Sequence, residues 1–411
     1  MSQTTVGARG RAGTLTSDGV APAVRDAAPP LPVWAFMAFA VASFGGPLAL
    51  AAAGAPGLIG DASDSSGLAV LAGAVVFLVP LAIWLRYSRE ITGSGGLYAF
   101  VEAAAGRPVA LAQAAVWIFS YLLYVVYTTV QIVYDLLPAV VPGAARYETV
   151  LALAIPVALV AVMVAGRAAA FLVLGVIAAG QLALAGILDG VTLAHVSTPI
   201  STFGAGAGAG PLAKATVQSS GLYICGSLPL FLGGELAAPA RTIRRGVSVA
   251  FAATAIVVVL AVAPLASMPG LLSTAVPGVS VAEQFVGAGL AKAIGVGVAA
   301  STAGVILCEY VALTRLIHAI GRWRIRPIAA AIGVVALVAA PISLIDPDGF
   351  YSRLLKPSEV ALWVSQLIVF AVYPLFVFKR RQRMWPALAL SLGASAFAVY
   401  GIVTALQQSS S

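Results

Sequence analysis

Hydrophobic residues fall along this chain in long runs, separated by short stretches rich in glycine, proline and charge. Eleven runs, near 32–55, 67–85, 108–137, 148–165, 168–189, 213–240, 246–267, 289–319, 327–345, 359–378 and 385–406, are long enough to cross about 30 Å of hydrocarbon as helices. No water is available at that depth to bond a free backbone, so each run predicts a transmembrane helix. The third and eighth are long enough to tilt. Residues 1–30 are rich in Ala, Gly, Ser, Thr and Pro and contain no apolar run. They read as a disordered tail rather than a signal peptide.

Two runs are interrupted at mid-depth. The first contains Phe44-Gly45-Gly46-Pro47 and the sixth contains Cys225-Gly226-Ser227-Leu228-Pro229. Freed backbone groups survive in a membrane only where they line a cavity. Interruptions five helices apart predict two related halves, about 31–190 and 212–380. Together they form a core of 31–380, with a further helix in 381–411.

Each interruption exposes two helix ends, amide-rich and partly positive on one side, carbonyl-rich and partly negative on the other. That pairing suits a zwitterion. A carboxylate would rest on the amides near Gly45, Gly46 and Leu48. An ammonium would rest on carbonyls near Ser43, Phe44, Ile224 and Cys225, with Gly226 and Ser227 in the same segment. Glycine lets a ligand approach the backbone closely. On the third span Ser120, Tyr124, Tyr127 and Gln131 share a helical stripe, which places Tyr124 against a ligand or, alternatively, in packing. No acid stands in the predicted pocket, which favours an uncharged side chain: a neutral amino acid or close analogue. The alternatives are a polyamine or organic-cation carrier, and a sensor that binds without moving its ligand.

Composition sharpens the class. Of 411 residues 61% are hydrophobic and 9% charged, against about 25% charged in soluble domains. This excludes a water-soluble globule. The net charge is +8, but the basic residues sit in short loops. With a cytoplasmic N-terminus, all of the 23 Lys and Arg except Arg146, Lys214, Lys292, Arg353 and Lys356 fall on the cytoplasmic side. That bias sets topology in a lipid bilayer and makes no nucleic-acid surface. The short loops and the Ala-, Gly- and Arg-rich composition point to a multi-pass protein of a bacterial plasma membrane.

Candidate chemistry is sparse. Glu309, deep in the eighth span, is a candidate for H⁺ coupling; the alternative is a partner for Arg315. Ser301 and Thr302 on the same span could ligate Na⁺, or simply bond back to their own helix. H⁺ is favoured over Na⁺. Glu235 could pair with Arg241 in an inner gate, or Glu102 with the same basic cluster. Cys225 and Cys308 form no disulfide or metal pattern, and His195 and His318 belong to no catalytic set. There is no phosphate-binding loop. Neither enzyme activity, metal nor cofactor is expected.

Three stretches resemble the amino acid–polyamine–organocation (APC) permeases. Gly95-Gly96-Leu97-Tyr98-Ala99-Phe100, followed by Gly106, is similar to their GG-x-Y-x-[YF] segment. Glu235-Leu236-Ala237-Ala238-Pro239-Ala240-Arg241-Thr242-Ile243-Arg244-Arg245-Gly246 resembles their E-x-x-N-P-x-R-T-I-P-R-G pattern, with Ala238 and Arg244 where Asn and Pro are usual. Thr314-Arg315-Leu316-Ile317-His318-Ala319 resembles their S-R-L-x-Y-A. The resemblance implies an all-α polytopic membrane protein with the LeuT-type five-plus-five inverted repeat. It also implies a secondary carrier working by alternating access, driven by H⁺, exchange or Na⁺. The family's G-[SA]-G-I loop on the first helix is replaced here by Ser43-Phe44-Gly45-Gly46-Pro47, which implies a reshaped carboxylate site.

Overall fold

A computed structural model describes residues 29–407, apart from Pro142, Pro199 and the side chain of Asp61. The expected tail falls on 1–28 and so lies outside the described residues, apart from Pro29 and Pro30. Ten helices among the described residues are long and apolar enough to cross a membrane. They are Val33–Ile59, Ala62–Glu90, Arg107–Val140, Ala144–Ala165, Arg167–His195, Pro239–Ser267, Ala288–Gly321, Ile325–Ser343, Pro347–Lys379 and Met384–Gln407. They match ten of the eleven runs, and the chain is a multi-pass membrane protein.

The remaining run, the sixth, is not one helix. An α-helix, Ala209–Gly221, stops at a turn, and a 3₁₀ helix, Ile224–Glu235, carries the chain onward. The predicted interruption is present, but it falls at Leu222–Tyr223, ahead of Gly226 and Pro229. A 3₁₀ path is tighter than an α-helix, with about three residues per turn.

Three shorter helices were not foreseen. Gly96–Ala105 follows the second span, and Pro269–Leu272 and Pro277–Phe285 link the seventh and eighth. Each is below spanning length, so a search for long apolar runs passes over it.

Burial grades the spans. The apolar window of the first span is 83% buried, that of Ala144–Ala165 only 22%. The first is therefore enclosed by protein, while the fourth presents most of its surface outward, as a lipid-facing helix does.

The third span, Arg107–Val140, and the tenth, Pro347–Lys379 (the counting follows the eleven runs), lie antiparallel along a polar seam. Gln113 Nε2 donates to Ser365 Oγ at 2.9 Å. Ser120 and Ser358 each donate to the other's carbonyl at 2.8 Å. The rings of Tyr127 and Tyr351 meet edge to face at 5.5 Å. Along each helix these positions recur every seven residues, the spacing at which two α-helices keep one seam in register.

At the end of the 3₁₀ segment Glu235 forms two ion pairs. Its carboxylate accepts from Arg315 Nε at 2.7 Å and pairs with Arg167 at 3.3 Å. Arg315 is thus the partner of Glu235 and not of Glu309. The expected pairing with Arg241 is not formed: Arg241 is exposed, and both carboxylate oxygens are engaged by the two buried or half-buried arginines. Glu102 likewise turns to its own helix, accepting from Tyr98 at 2.9 Å.

Candidate functional site

The first span leaves helical geometry after Ser43. Gly45 and Gly46 take φ of 81° and 71°, left-handed values that side chains strongly disfavour. Pro47 then restarts the helix at its first position, where it gives up no intrahelical bond. Beside this break lies a cavity of about 490 Å³, within the range of small-molecule sites.

Both interruptions reach it. Gly45 lines the cavity from the first span, and Leu222, Ile224 and Cys225 line it from the sixth. Tyr124 and Thr302 line it too. Of these, Gly45, Tyr124, Ile224, Cys225 and Thr302 are the predicted residues that the structure brings together.

Others predicted for the site do not face it. Ser43 donates to Ala40 in its own helix at 2.8 Å. The Phe44 side chain is fully buried against Phe77 and Phe251, at 6.4 and 5.8 Å between ring centroids. A Cβ added at Gly226 would lie 2.1 Å from the Phe44 ring, so this glycine admits a neighbouring side chain rather than a ligand. Gly46 is likewise filled from behind, by the hydroxyl of Ser301. Ser227 Oγ donates to Ile224 O at 3.3 Å and accepts from Gln366 at 3.4 Å.

The hydroxyl pair on the eighth span is also engaged. Ser301 donates to Gln181 Oε1 and accepts from Ala49 N at 3.4 Å. Thr302 bonds back to Val298 at 3.0 Å. Glu309 is fully buried behind the cavity wall. The Cys225 thiol, on the lining, reaches one of its oxygens at 4.0 Å, and Tyr121 O–H reaches that sulfur at 3.8 Å. The second oxygen, Oε2, has no hydrogen-bond partner. Among the described residues no group of three or more His, Cys, Asp or Glu could hold a metal.

The expectation of an acid-free pocket does not hold. Asp135 and Glu359 both line the cavity. Asp135 continues the face of Tyr124, Tyr127, Thr128 and Gln131 by one more helical step, so extending that stripe would have found it. Glu359 stands at the first position of an apolar run and reads there as a boundary charge. Tyr351, also on the lining, lies ahead of that run.

No protein-family model and no curated protein matches the chain. Solved structures do. A Na⁺-coupled sialic acid symporter in its substrate-bound outward-open state superposes with a TM-score of 0.57 at 12% identity, over 92% of this chain and 90% of that one. The manganese transporter of Eremococcus coleocola gives 0.61 at 10% identity, over 94% and 92%. MhsT in complex with L-phenylalanine gives 0.58 at 14% identity, over 90% and 97%. Identities this low carry the fold alone, and the fold is clear: this chain is a LeuT-type membrane protein, five helices plus five in inverted repeat, as its APC-like motifs imply.

Proposed function

We propose that the protein is a secondary carrier that moves a small amino-acid-like solute across the plasma membrane by alternating access. The observation that carries this reading is that both helix interruptions, at Gly45 and at Leu222 with the adjoining Ile224 and Cys225, open on one cavity. Helix ends freed there offer amides to a carboxylate and carbonyls to an ammonium. The fold similarity to ion-coupled carriers supports it. The halves are taken as 31–190 and 212–380, with 381–411 as an added helix and the N-terminus in the cytoplasm.

Glu309 is the proposed coupling site, for H⁺. It is a buried carboxyl whose Oε1 lies 4.0 Å from the Cys225 thiol on the cavity lining, and a proton neutralises it where a larger ion would need further ligands. The engagement of Ser301 by Gln181 and of Thr302 by Val298 supports H⁺ over Na⁺. Glu235, held by Arg315 and Arg167, is the proposed inner gate.

The test is solute counterflow in proteoliposomes, first without a gradient, then with a pH or a Na⁺ gradient. Exchange of one solute class, accelerated by the pH gradient, is expected. Glu309→Gln should keep counterflow but lose about tenfold or more of the pH-driven accumulation. Ligand binding without any counterflow would make the protein a sensor instead.

A further inference from the structure

Positive charge crowds the turn between the eighth and ninth spans. Arg322, Arg324 and Arg326 fall within five residues, all exposed, and none forms an ion pair among the described residues. The carboxylates at this end of the bundle are engaged elsewhere: Glu90 by Arg380 at 3.0 Å, Glu235 by Arg315 and Arg167, and Glu102 by Tyr98. The ninth span starts inside the turn, at Ile325, and the positive end of its dipole adds to the same field. Like charges held this close repel one another, and no described carboxylate offsets them.

Two further observations separate this turn from charge that only sets topology. Between the arginines stands Trp323, 65% exposed. A Cβ at Gly321 would lie 3.1 Å from its indole, and His318 Nδ1 donates to its carbonyl, so the ring is held at the surface. Arg322 takes φ of 55°, and besides Arg381 it is the only described residue other than glycine with a positive φ. Glycine would sit there without strain. An arginine at such a position carries a backbone cost that a role for its side chain would offset.

We propose that this turn binds an anionic phospholipid, its phosphate held by Arg322, Arg324 and Arg326 and its glycerol and upper acyl chain set against Trp323. The turn joins two helices that cross a membrane, so phospholipid headgroups lie at its level. Guanidinium groups meet a phosphate with two parallel hydrogen bonds, and a tryptophan beside them suits the boundary between headgroup and acyl chain. A free phosphate would use the arginines and leave the indole in water. The site stands apart from the cavity, and its occupancy does not depend on the carrier reading.

The experiment takes the full chain in mild detergent and counts bound lipid by native mass spectrometry, with phosphatidylglycerol and phosphatidylcholine as probes. Phosphatidylglycerol should stay bound where phosphatidylcholine is lost, and should raise the unfolding temperature. Each arginine facing an anionic headgroup is worth roughly a factor of five. Arg324→Gln with Arg326→Gln should therefore weaken retention about twenty-fivefold, and adding Arg322→Gly, which suits the left-handed backbone, about a hundredfold. Arg244→Gln with Arg245→Gln, two exposed arginines of another turn at the same end, should leave retention unchanged. Equal retention of the two lipids, intact retention in the variant lacking all three arginines, or an equal loss with the Arg244 and Arg245 changes overturns the proposal. So does inorganic phosphate raising the unfolding temperature as far as phosphatidylglycerol does, which would make the turn a site for a free anion. Should the triple variant not fold, the double variant, which leaves the bonds at Arg322 and Trp323 in place, decides.

Discussion

Gly226 shows what a single hydrogen in place of a side chain does here. The Phe44 ring occupies the space a Cβ would need, at 2.1 Å, and behind it stand Phe77 and Phe251. The first and sixth spans therefore touch through a ring seated on a bare backbone. Gly226→Ala should cost about 2 kcal/mol by overpacking, read as a lower unfolding temperature in detergent. Phe44→Leu in the same chain should recover part of that loss. A Gly226→Ala protein as stable as the parent would remove this account. From sequence alone the same glycine read as room for a ligand. A sequence reveals that space is required at a position, but what fills it is decided by Phe44, 182 residues earlier in the chain.

Elements were more legible than their contacts. Apolar runs give helices because a bilayer leaves the backbone no other way to be satisfied, and ten spans overlap the runs, though the one near 359–378 begins twelve residues earlier, at Pro347. The two interruptions were legible for the same reason, through Gly45-Gly46-Pro47 and the Gly-Pro pair of the sixth span. The short helices Gly96–Ala105 and Pro277–Phe285 were not, since nothing about their length or apolarity sets them apart from loop. Nor was the partner of Glu235: Arg241 is close in sequence, yet Arg315, eighty residues on, is the one brought within 2.7 Å. Arg315 is nearly buried, its side chain 5% exposed. Glu235→Gln would leave that charge without a partner of opposite sign nearby except by rearrangement, and should cost about 3 kcal/mol. The same change should favour opening of this end. Cysteines placed along the 3₁₀ segment would then label faster with a water-soluble maleimide; unchanged labelling would show that the pair is structural and no gate.

For the whole molecule, enclosure falls off outward from the first span, whose apolar window is 83% buried. The first span, which brings Gly45 to the cavity, is thus also the one most surrounded by protein, and the fourth span, at 22%, serves as an outer wall. The seam between the third and tenth spans runs through this arrangement, with Ser120 and Ser358 each 1% exposed. A bifunctional cross-link between cysteines at these two positions should leave counterflow within about twofold of the parent if the seam stays shut throughout the cycle. Loss of exchange on cross-linking would mean that the two helices part.

The seam's repeat has a mechanical consequence. Three contacts share one offset, so sliding either helix by one residue would turn every partner by about 100° and break all of them together. The next matching position lies seven residues away, about 10 Å along the axis. Small slips are therefore forbidden and large ones out of reach, and the pair behaves as one stiff post. If the proposed carrier reading holds, whatever turns to admit a solute from the other side should turn around that post, whose last joined rings are Tyr127 and Tyr351.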